Sequence, residues 1–338
     1  MSILKLKQVL MLTPLLITLP VSALLSWWLA QVRGRLQVLD TPNDRSMHTR
    51  PTPRTGGIAI LSGSAAGLAA LWLHQDLVVA GWPLFGAVIA LALIAIVDDY
   101  HAIGIAPRLL VQFGAVALLL VHYRSPGSGL PLDMAAFLFL VWMINLYNFM
   151  DGMDGFATGM AIFGFATFAI LGREAGQPEF AAGCAIVATA CAGFLLLNFP
   201  PARLFMGDIG STVLGLLAGI TILQAHRGQI LPVWLGVLVF SPFIVDATVT
   251  LVLRMLRRER FWKPHKTHFY QRLVQKGWGH RRTVLAEYTL MLACCVSALG
   301  GVALPTDGQI VLIAIWAVLY AGMIGFISHV TAQDPADT

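Results

Sequence analysis

The sequence predicts an all-α polytopic membrane protein, one domain over residues 1–338 with about eleven transmembrane helices. Three observations predict it. Hydrophobic residues make up 57% of the chain and charged ones 12%, against roughly 25% charged in ordinary soluble domains. The apolar residues fall in runs near the length a bilayer demands, about 17 to 25 residues per helix. The charges gather in short clusters between those runs. A net charge of +5 arranged in this way forms no basic groove, so nucleic acid is excluded as a partner. The same composition excludes a disordered chain and a secreted disulfide scaffold.

The runs are 9–30, 57–73, 79–97, 109–123, 132–147, 157–171, 181–197, 211–224, 231–253, 288–304 and 309–330. Several are short, so their helices are expected to extend into the flanking polar residues. Lys5 and Lys7 precede the first run as they would in a signal peptide. That run is longer than a signal h-region and no clear A-x-A site follows, so it reads as a retained anchor. Cys184, Cys191, Cys294 and Cys295 lie inside apolar runs with no CxxC among them, as small buried residues do.

Seventeen of the 22 Lys and Arg residues fall in the first, third, fifth, seventh and ninth connections. The positive-inside rule makes that face cytoplasmic, which places the N-terminus in the periplasm and the C-terminal tail in the cytoplasm. Lys5 and Lys7 point the other way and are outnumbered. Residues 254–287 are expected to form a cytoplasmic basic loop that contributes to the active site. No repeat of 20 to 50 residues and no matched pair of broken helices is visible, in contrast to inverted-repeat transporters.

The acids carry the functional signal. Asp98 and Asp99 close the third run, where adjacent side chains on a helix diverge by about 100°. One suits a base and the other a metal ligand, and oxygen-rich sites of this kind suit Mg²⁺. A solvated helix end also explains the pair taken alone. Asn148, Asp151 and Asp154 follow at spacings of three and share one face if the helix continues; Gly152 and Gly155 allow close approach of backbone or ligand. Such a stripe in an apolar context needs partners or water.

Pro200 and Pro201 stop the next helix after Asn198. Beyond them come Phe205, Asp208 and Ser211; the last two are also candidate caps for a helix whose N-terminus favours an anion. Phe205 suits a core as well as a ligand. The basic segment Lys263–Arg272 contains His265, Lys266 and His268. It reads either as a phosphate-binding surface or as a juxtamembrane segment drawn to anionic lipid. No third soft ligand joins the two histidines, so zinc is disfavoured. Asp246 lies within the ninth run, either functional or a buried partner for an Arg.

These motifs in this order resemble the polyprenyl-phosphate N-acetylhexosamine-1-phosphate transferases, a family that includes the initiators of O-antigen and enterobacterial common antigen and the phospho-MurNAc-pentapeptide translocase. The resemblance runs from Asp40–His48 and Pro53-Arg-Thr-Gly-Gly57 to His265-Lys-Thr-His-Phe-Tyr270. The last segment lacks the translocase's triple His and looks most like the O-antigen branch. The resemblance implies an eleven-helix enzyme joining a UDP-N-acetylhexosamine to undecaprenyl phosphate with Mg²⁺, or Mn²⁺ in its place, and releasing UMP.

By the same resemblance Asp98 deprotonates or positions the lipid phosphate, Asp99 supports it near the metal, and Asp208 is a metal ligand. Asn148, Asp151, Asp154 and Asn198 line the nucleotide site, Phe205 stacks on uracil, and His265 and His268 hold phosphates or sugar. The location implied is the bacterial inner membrane with a cytoplasmic active site, and a homodimer is allowed. Arg108 stands in place of the lysines that follow the acid pair in the translocase branch; Arg50 and Arg54 flank the prolines of the first connection. A transporter or lipid flippase using the acids for ion coupling is the rival from another class. It predicts acids near the bilayer midplane, whereas these fall at the ends of runs.

Overall fold

The computed structural model describes residues 3–32, 38–42, 47, 50–74, 81–101, 103–123, 129–260 and 265–332, without the side chains of 3–11, 74 and 332. Of the motif residues quoted above, 43–46, His48, Lys263 and Pro264 lie outside them. The helices are α1 (Ile3–Gln31), α2 (Gly56–His74), α3 (Trp82–His101), α4 (Ile105–Tyr123), α5 (Leu130–Phe149), α6 (Phe156–Glu174) and α7 (Pro178–Asn198). They continue with α8 (Gly207–Arg227), α9 (Val233–Val239), α10 (Ser241–Leu256), α11 (Phe269–Leu273), α12 (Gly279–Gly301) and α13 (Thr306–Ala332).

Ten helices among the described residues are long and apolar enough to cross a membrane, eleven with one bent pair counted as a span. The multi-pass all-α reading therefore holds, and the helices extend into flanking polar residues as expected. Asp98 and Asp99 consequently sit in the last turn of α3, and Asp208 in the first turn of α8.

Two expectations are corrected. The ninth run is not one straight helix, because α9 and α10 meet at 86°. Pro242 lies in the first turn of α10, where it has no N–H to continue the ladder of α9. The segment 254–287 is also not simply a loop. It contains α11, a π-helical turn Val274–Trp278 and the first turns of α12. Gly277 and Gly279, at φ 87° and 68°, supply the left-handed residues that join the last two pieces.

The core is built on α6, α7 and α8. One apolar cluster joins α5–α10 and α12 around Phe156, Phe165, Phe194, Phe240 and Phe243. A second joins α3, α4, α5 and α8 around Leu91, Val116, Leu140 and Leu216. Lipid offers no hydrophobic drive between spans, so close packing and interhelical hydrogen bonds must hold them. Ser22 Oγ donates to Ala190 O at 2.6 Å between α1 and α7, and Asn145 Nδ2 to Gln112 Oε1 at 2.8 Å between α5 and α4. By contrast α13 is almost wholly exposed on its flanks, with Val318 and Phe326 facing outward.

The first connection carries a two-residue antiparallel bridge, β1 (Leu39–Asp40) with β2 (Thr52–Pro53), pairing Leu39 with Pro53 and Asp40 with Thr52. It is sewn to the segment before α8. Phe205 N donates to Pro53 O (2.7 Å), Gly56 N to Phe205 O (2.9 Å) and Gly57 N to Met206 O (2.8 Å). This lacing fixes Arg54 beside the acids.

Candidate active site

The acids and their counter-charges converge at one end of the bundle because five connections and helix ends meet there. Gly57 lets them do so: a Cβ on it would run into the backbone of Gly210. The N-termini of α2 and α8 therefore cross at backbone distance. Gly207, at φ 70° and against Arg54 O, turns the chain into α8 where a bulkier residue would be strained. Asp208 does not cap this helix. The cap position is Met206 and makes no side-chain bond, so the carboxylate of Asp208 points outward from the first turn.

Arg108 is the hub. Its NH1 meets Asp98 Oδ2 at 2.9 Å and its NH2 meets Asp208 Oδ2 at 2.8 Å, joining α3 to α8 through α4. With its amide turned so that both ends are satisfied, Asn148 donates to Asp208 Oδ1 (3.2 Å) and Ser211 Oγ (2.7 Å) and accepts from Arg108 (3.2 Å). Asp99 diverges from Asp98, as adjacent helix positions must, and pairs with Arg54 NH2 at 3.0 Å. Its side chain is 4% exposed, and its Oδ2 is buried with no partner.

The stripe through Asn148, Asp151 and Asp154 does not stay on one helix. The α5 helix ends at Phe149, and Gly155, at φ 72°, opens α6. Only Asn148 is helical; Asp151 and Asp154 ride on the connection. Surrounding protein, with Asp208 and Asp154 adding repulsion, pushes the Asp151 carboxyl well above the usual range. Asp154 is braced instead: Ala202 N donates to Oδ2 at 3.0 Å, and His280 Nδ1 lies 3.2 Å from Oδ1. The other ring nitrogen of His280 reaches Met47 O at 3.1 Å, tying α12 to the first connection.

Asn198 is placed behind the site. It is 4% exposed and uses its amide within the protein, accepting from Gly155 N (3.1 Å) and Thr158 Oγ1 (2.6 Å) and donating to Leu204 O (3.0 Å). These bonds tie together the connections that carry Asp154 and Phe205. Phe205 is half-buried on the segment laced to Pro53 and Gly56.

Asp246 has several partners, and among the described residues none is an Arg. Oδ1 accepts from Phe269 N (3.0 Å), Thr250 Oγ1 (3.1 Å) and the His268 Nδ1 side (3.1 Å), and Oδ2 accepts from Tyr270 N (3.1 Å). A carboxylate from α10 thus satisfies the free N–H groups that open α11. The short helix packs onto the Asp151 connection through Tyr270, whose ring lies 4.8 Å from that of Phe156 and whose hydroxyl abuts Gly152. His268 is 4% exposed, and His265 lies over it at 4.9 Å between ring centres. Partial burial, with His268 and Arg254 nearby, lowers His265 to about pKa 4, so its ring is neutral near pH 7.

Sequence reasoning did not find His280 or the pairing of Arg54 with Asp99. His280 sits among Lys276, Arg281 and Arg282 with nothing in its local pattern to separate it from a solvated basic turn. Its partner is far away in sequence.

For Mg²⁺ the donor set fits in kind. The oxygens are hard carboxylates, Asp99 Oδ2 is orphaned, and Asp151 has no cationic partner among the described residues. No group of three His, Cys, Asp or Glu forms a closed metal cage among the described residues. Hard oxygens of this kind suit Mg²⁺, which binds through one or two carboxylates together with substrate phosphates and water.

Residues 82–226, which run from α3 to α8 and carry all five acids of the cluster, match the model of glycosyl transferase family 4. The chain is 31% identical over 312 residues to a decaprenyl-phosphate N-acetylglucosaminephosphotransferase of Mycolicibacterium smegmatis, covering 77% of this chain and 74% of the relative. It is 29% identical over 285 residues to a probable undecaprenyl-phosphate N-acetylglucosaminyl 1-phosphate transferase of Bacillus subtilis, covering 78% and 77%. A phospho-N-acetylmuramoyl-pentapeptide-transferase of Moorella thermoacetica is 31% identical over 245 residues, covering 72% and 73%. With the acid cluster and these likenesses in agreement, the chain belongs to glycosyl transferase family 4, as a polyprenyl-phosphate N-acetylhexosamine-1-phosphate transferase.

Proposed function

We propose that this protein transfers an N-acetylhexosamine-1-phosphate, or its 6-deoxy form, from a UDP-sugar to undecaprenyl phosphate and releases UMP. The reaction takes place on the cytoplasmic face of the bacterial inner membrane and initiates O-antigen or a related surface polysaccharide. The single observation that carries the reading is Arg108 held between Asp98 and Asp208, with Asp99, Asp151 and Asp154 close by. A charge-alternating cluster at a bundle end suits two phosphate-bearing substrates better than ion passage through the midplane. The cytoplasmic assignment rests on seventeen of 22 Lys and Arg residues lying in the connections at that end.

In the reaction an oxygen of the lipid phosphate bonds to the phosphorus that carries the sugar. The bond from that phosphorus to the bridging oxygen breaks, and UMP leaves with the electron pair. The acceptor is already nucleophilic, so the chain's task is positioning and charge neutralisation. Asp98 takes the remaining acceptor proton or orients the phosphate, and Arg108 keeps Asp98 aimed. Asn148, Asp151 and Asp154 hold the nucleotide, with Phe205 against the base. His265, neutral, and His268, fixed by Asp246, donate hydrogen bonds to phosphate or sugar. Asp208 and Asp99 would hold Mg²⁺, or Mn²⁺ in its place. When bound, the ion neutralises charge on the diphosphate.

The test uses purified protein, Mg²⁺, undecaprenyl phosphate and a panel of UDP-N-acetylhexosamines, with the released nucleotide identified. UMP supports sugar-1-phosphate transfer, and the fastest donor identifies the sugar. UDP would overturn the mechanism. No release with any donor from a folded sample would overturn the reading in favour of transport.

A further inference from the structure

A second cluster of charge lies outside the acidic centre. Beside α10 and α11 the fold leaves a cavity of about 280 Å³ whose walls include Arg254, Arg257, Lys266 and Arg272. Its other lining residues are polar or apolar, with no carboxylate among them. None of Asp98, Asp99, Asp151, Asp154 or Asp208 lines it. Thr250, Leu253 and Arg254 of α10 and Arg257 at its C-cap lie at spacings of three, one and three, on the face that also carries Asp246.

The charges there are not balanced internally. Arg254 NH1 pairs with Glu259 at 2.8 Å, but its Nε is buried with no acceptor. Among the described residues Arg257 and Lys266 have no carboxylate partner. Arg272 is held by neutral groups, Ser328 at 3.5 Å and Thr331, and lies 5.4 Å over the Phe269 ring. Several cations and an orphaned guanidinium N–H around one cavity call for an anion with several acceptor oxygens.

The surroundings indicate what accompanies that anion. Beside the cavity Phe269 and Leu273 pack with Ile327 of α13, joined by Val249, Leu253 and Ile324. Arg272 links α11 to α13 through Ser328 and Thr331. The α13 helix is the span least buried by the rest of the protein, with Phe326 60% exposed. The cationic cavity is therefore next to an outer, lipid-facing span rather than a water-filled interior.

We propose that this cavity binds the phosphate-bearing headgroup of an anionic membrane lipid, whose chains lie along α13, at a site separate from the transfer centre. Free phosphate shares the headgroup's chemistry but lacks the chains that α13 would hold. Binding there braces α10 and α11 through Arg254, Arg257 and Arg272, and so supports the Asp246–His268 pair that they carry.

Short-chain phosphatidylglycerol, the matching phosphatidylcholine and inorganic phosphate are each titrated into the purified full-length protein, and binding is read by native mass spectrometry and thermal shift. The expected result is saturable phosphatidylglycerol binding that phosphatidylcholine does not match. Affinity should fall about fivefold for each cation removed in Arg257→Gln and Lys266→Gln, and return in Arg257→Lys with Lys266→Arg. Equal binding of the two lipids, or unchanged affinity in the doubly substituted protein, overturns the site. Inorganic phosphate binding as tightly as phosphatidylglycerol overturns the lipid assignment. A variant whose thermal midpoint without lipid equals that of the parent excludes misfolding as the cause.

Discussion

Arg108 and Asp208 face each other at 2.8 Å between α4 and α8, while the other terminal nitrogen of the same guanidinium holds Asp98 on α3. One planar fork thus sets the spacing of two carboxylates that sequence places far apart. Arg108→Gln leaves both acids without their cation and lets them repel. We expect turnover to fall on the order of a hundredfold, the usual cost of losing one preorganised charge contact in a site. Arg108→Lys should recover only part, since a single ammonium cannot span both partners in the fork geometry. Comparing kcat and KM across the three proteins checks this; near-parental turnover in Arg108→Gln would remove Arg108 from the site.

Asp98→Asn and Asp208→Asn keep a polar group that Arg108 can still reach, so folding should survive. The negative charge is lost, and with it the proposed acceptor base in one case and the metal carboxylate in the other. Each variant should lose at least about a hundredfold in turnover while eluting and melting like the parent. Either variant working normally sinks its assigned role.

The crossing of α2 and α8 offers a structural test of the same centre. Gly57→Val would press side-chain atoms into the backbone of Gly210. The crossing must open, at a cost of about 1–3 kcal/mol typical of overpacked contacts. Arg54, three residues away, would be drawn from Asp99. Lower thermal stability together with weaker activity is expected. A parental midpoint in Gly57→Val would show that the crossing has slack.

The span count was legible because hydropathy and bilayer thickness together leave little freedom, and each acid cluster was legible because ionised groups must sit at span ends. The bend at Phe240 was hidden. Its flanks are apolar on both sides, and Pro242 alone does not distinguish a kink from a break. The loop at 254–287 misled for the opposite reason. Its polar residues belong to helix turns that become stable only when Asp246 closes the N-terminus of α11, a contact spanning twenty-three residues. The helical stripe at Asn148, Asp151 and Asp154 failed because α5 ends at Phe149, before Asp151, and a spacing rule does not see that end. Pairings such as His280 with Asp154 are tertiary, and no local pattern encodes them.

His265 provides a pH signature. In the unfolded chain its pKa is near 6.5, and in the folded protein it is lowered to about 4. Between those values the unfolded chain binds the proton and the folded one refuses it, so stability is full above pH 6.5 and declines as pH falls toward 4. Below pH 4 both states are protonated and this contribution stops changing. The ring is half-buried and still reaches solvent, which keeps the effect modest. His265→Asn should flatten this part of the thermal-midpoint profile between pH 6.5 and 4. An unchanged slope would mean that the neutral ring is not enforced by the fold.

Asp246 separates positioning from chemistry. It touches no proposed reacting atom, yet its two oxygens serve Phe269 N, Tyr270 N, Thr250 and His268. Asp246→Ala strands these buried donors at the start of α11, and we expect about 3 kcal/mol of lost stability. Asp246→Asn retains one acceptor oxygen and should sit between. If His268 meets substrate phosphate only when Asp246 holds its Nδ1 side, both variants raise KM for the UDP-sugar more than they lower kcat at saturating donor. A purely structural role predicts a different pattern: less folded protein, with KM unchanged in the fraction that survives. Measuring KM on the monodisperse fraction of each variant decides between them.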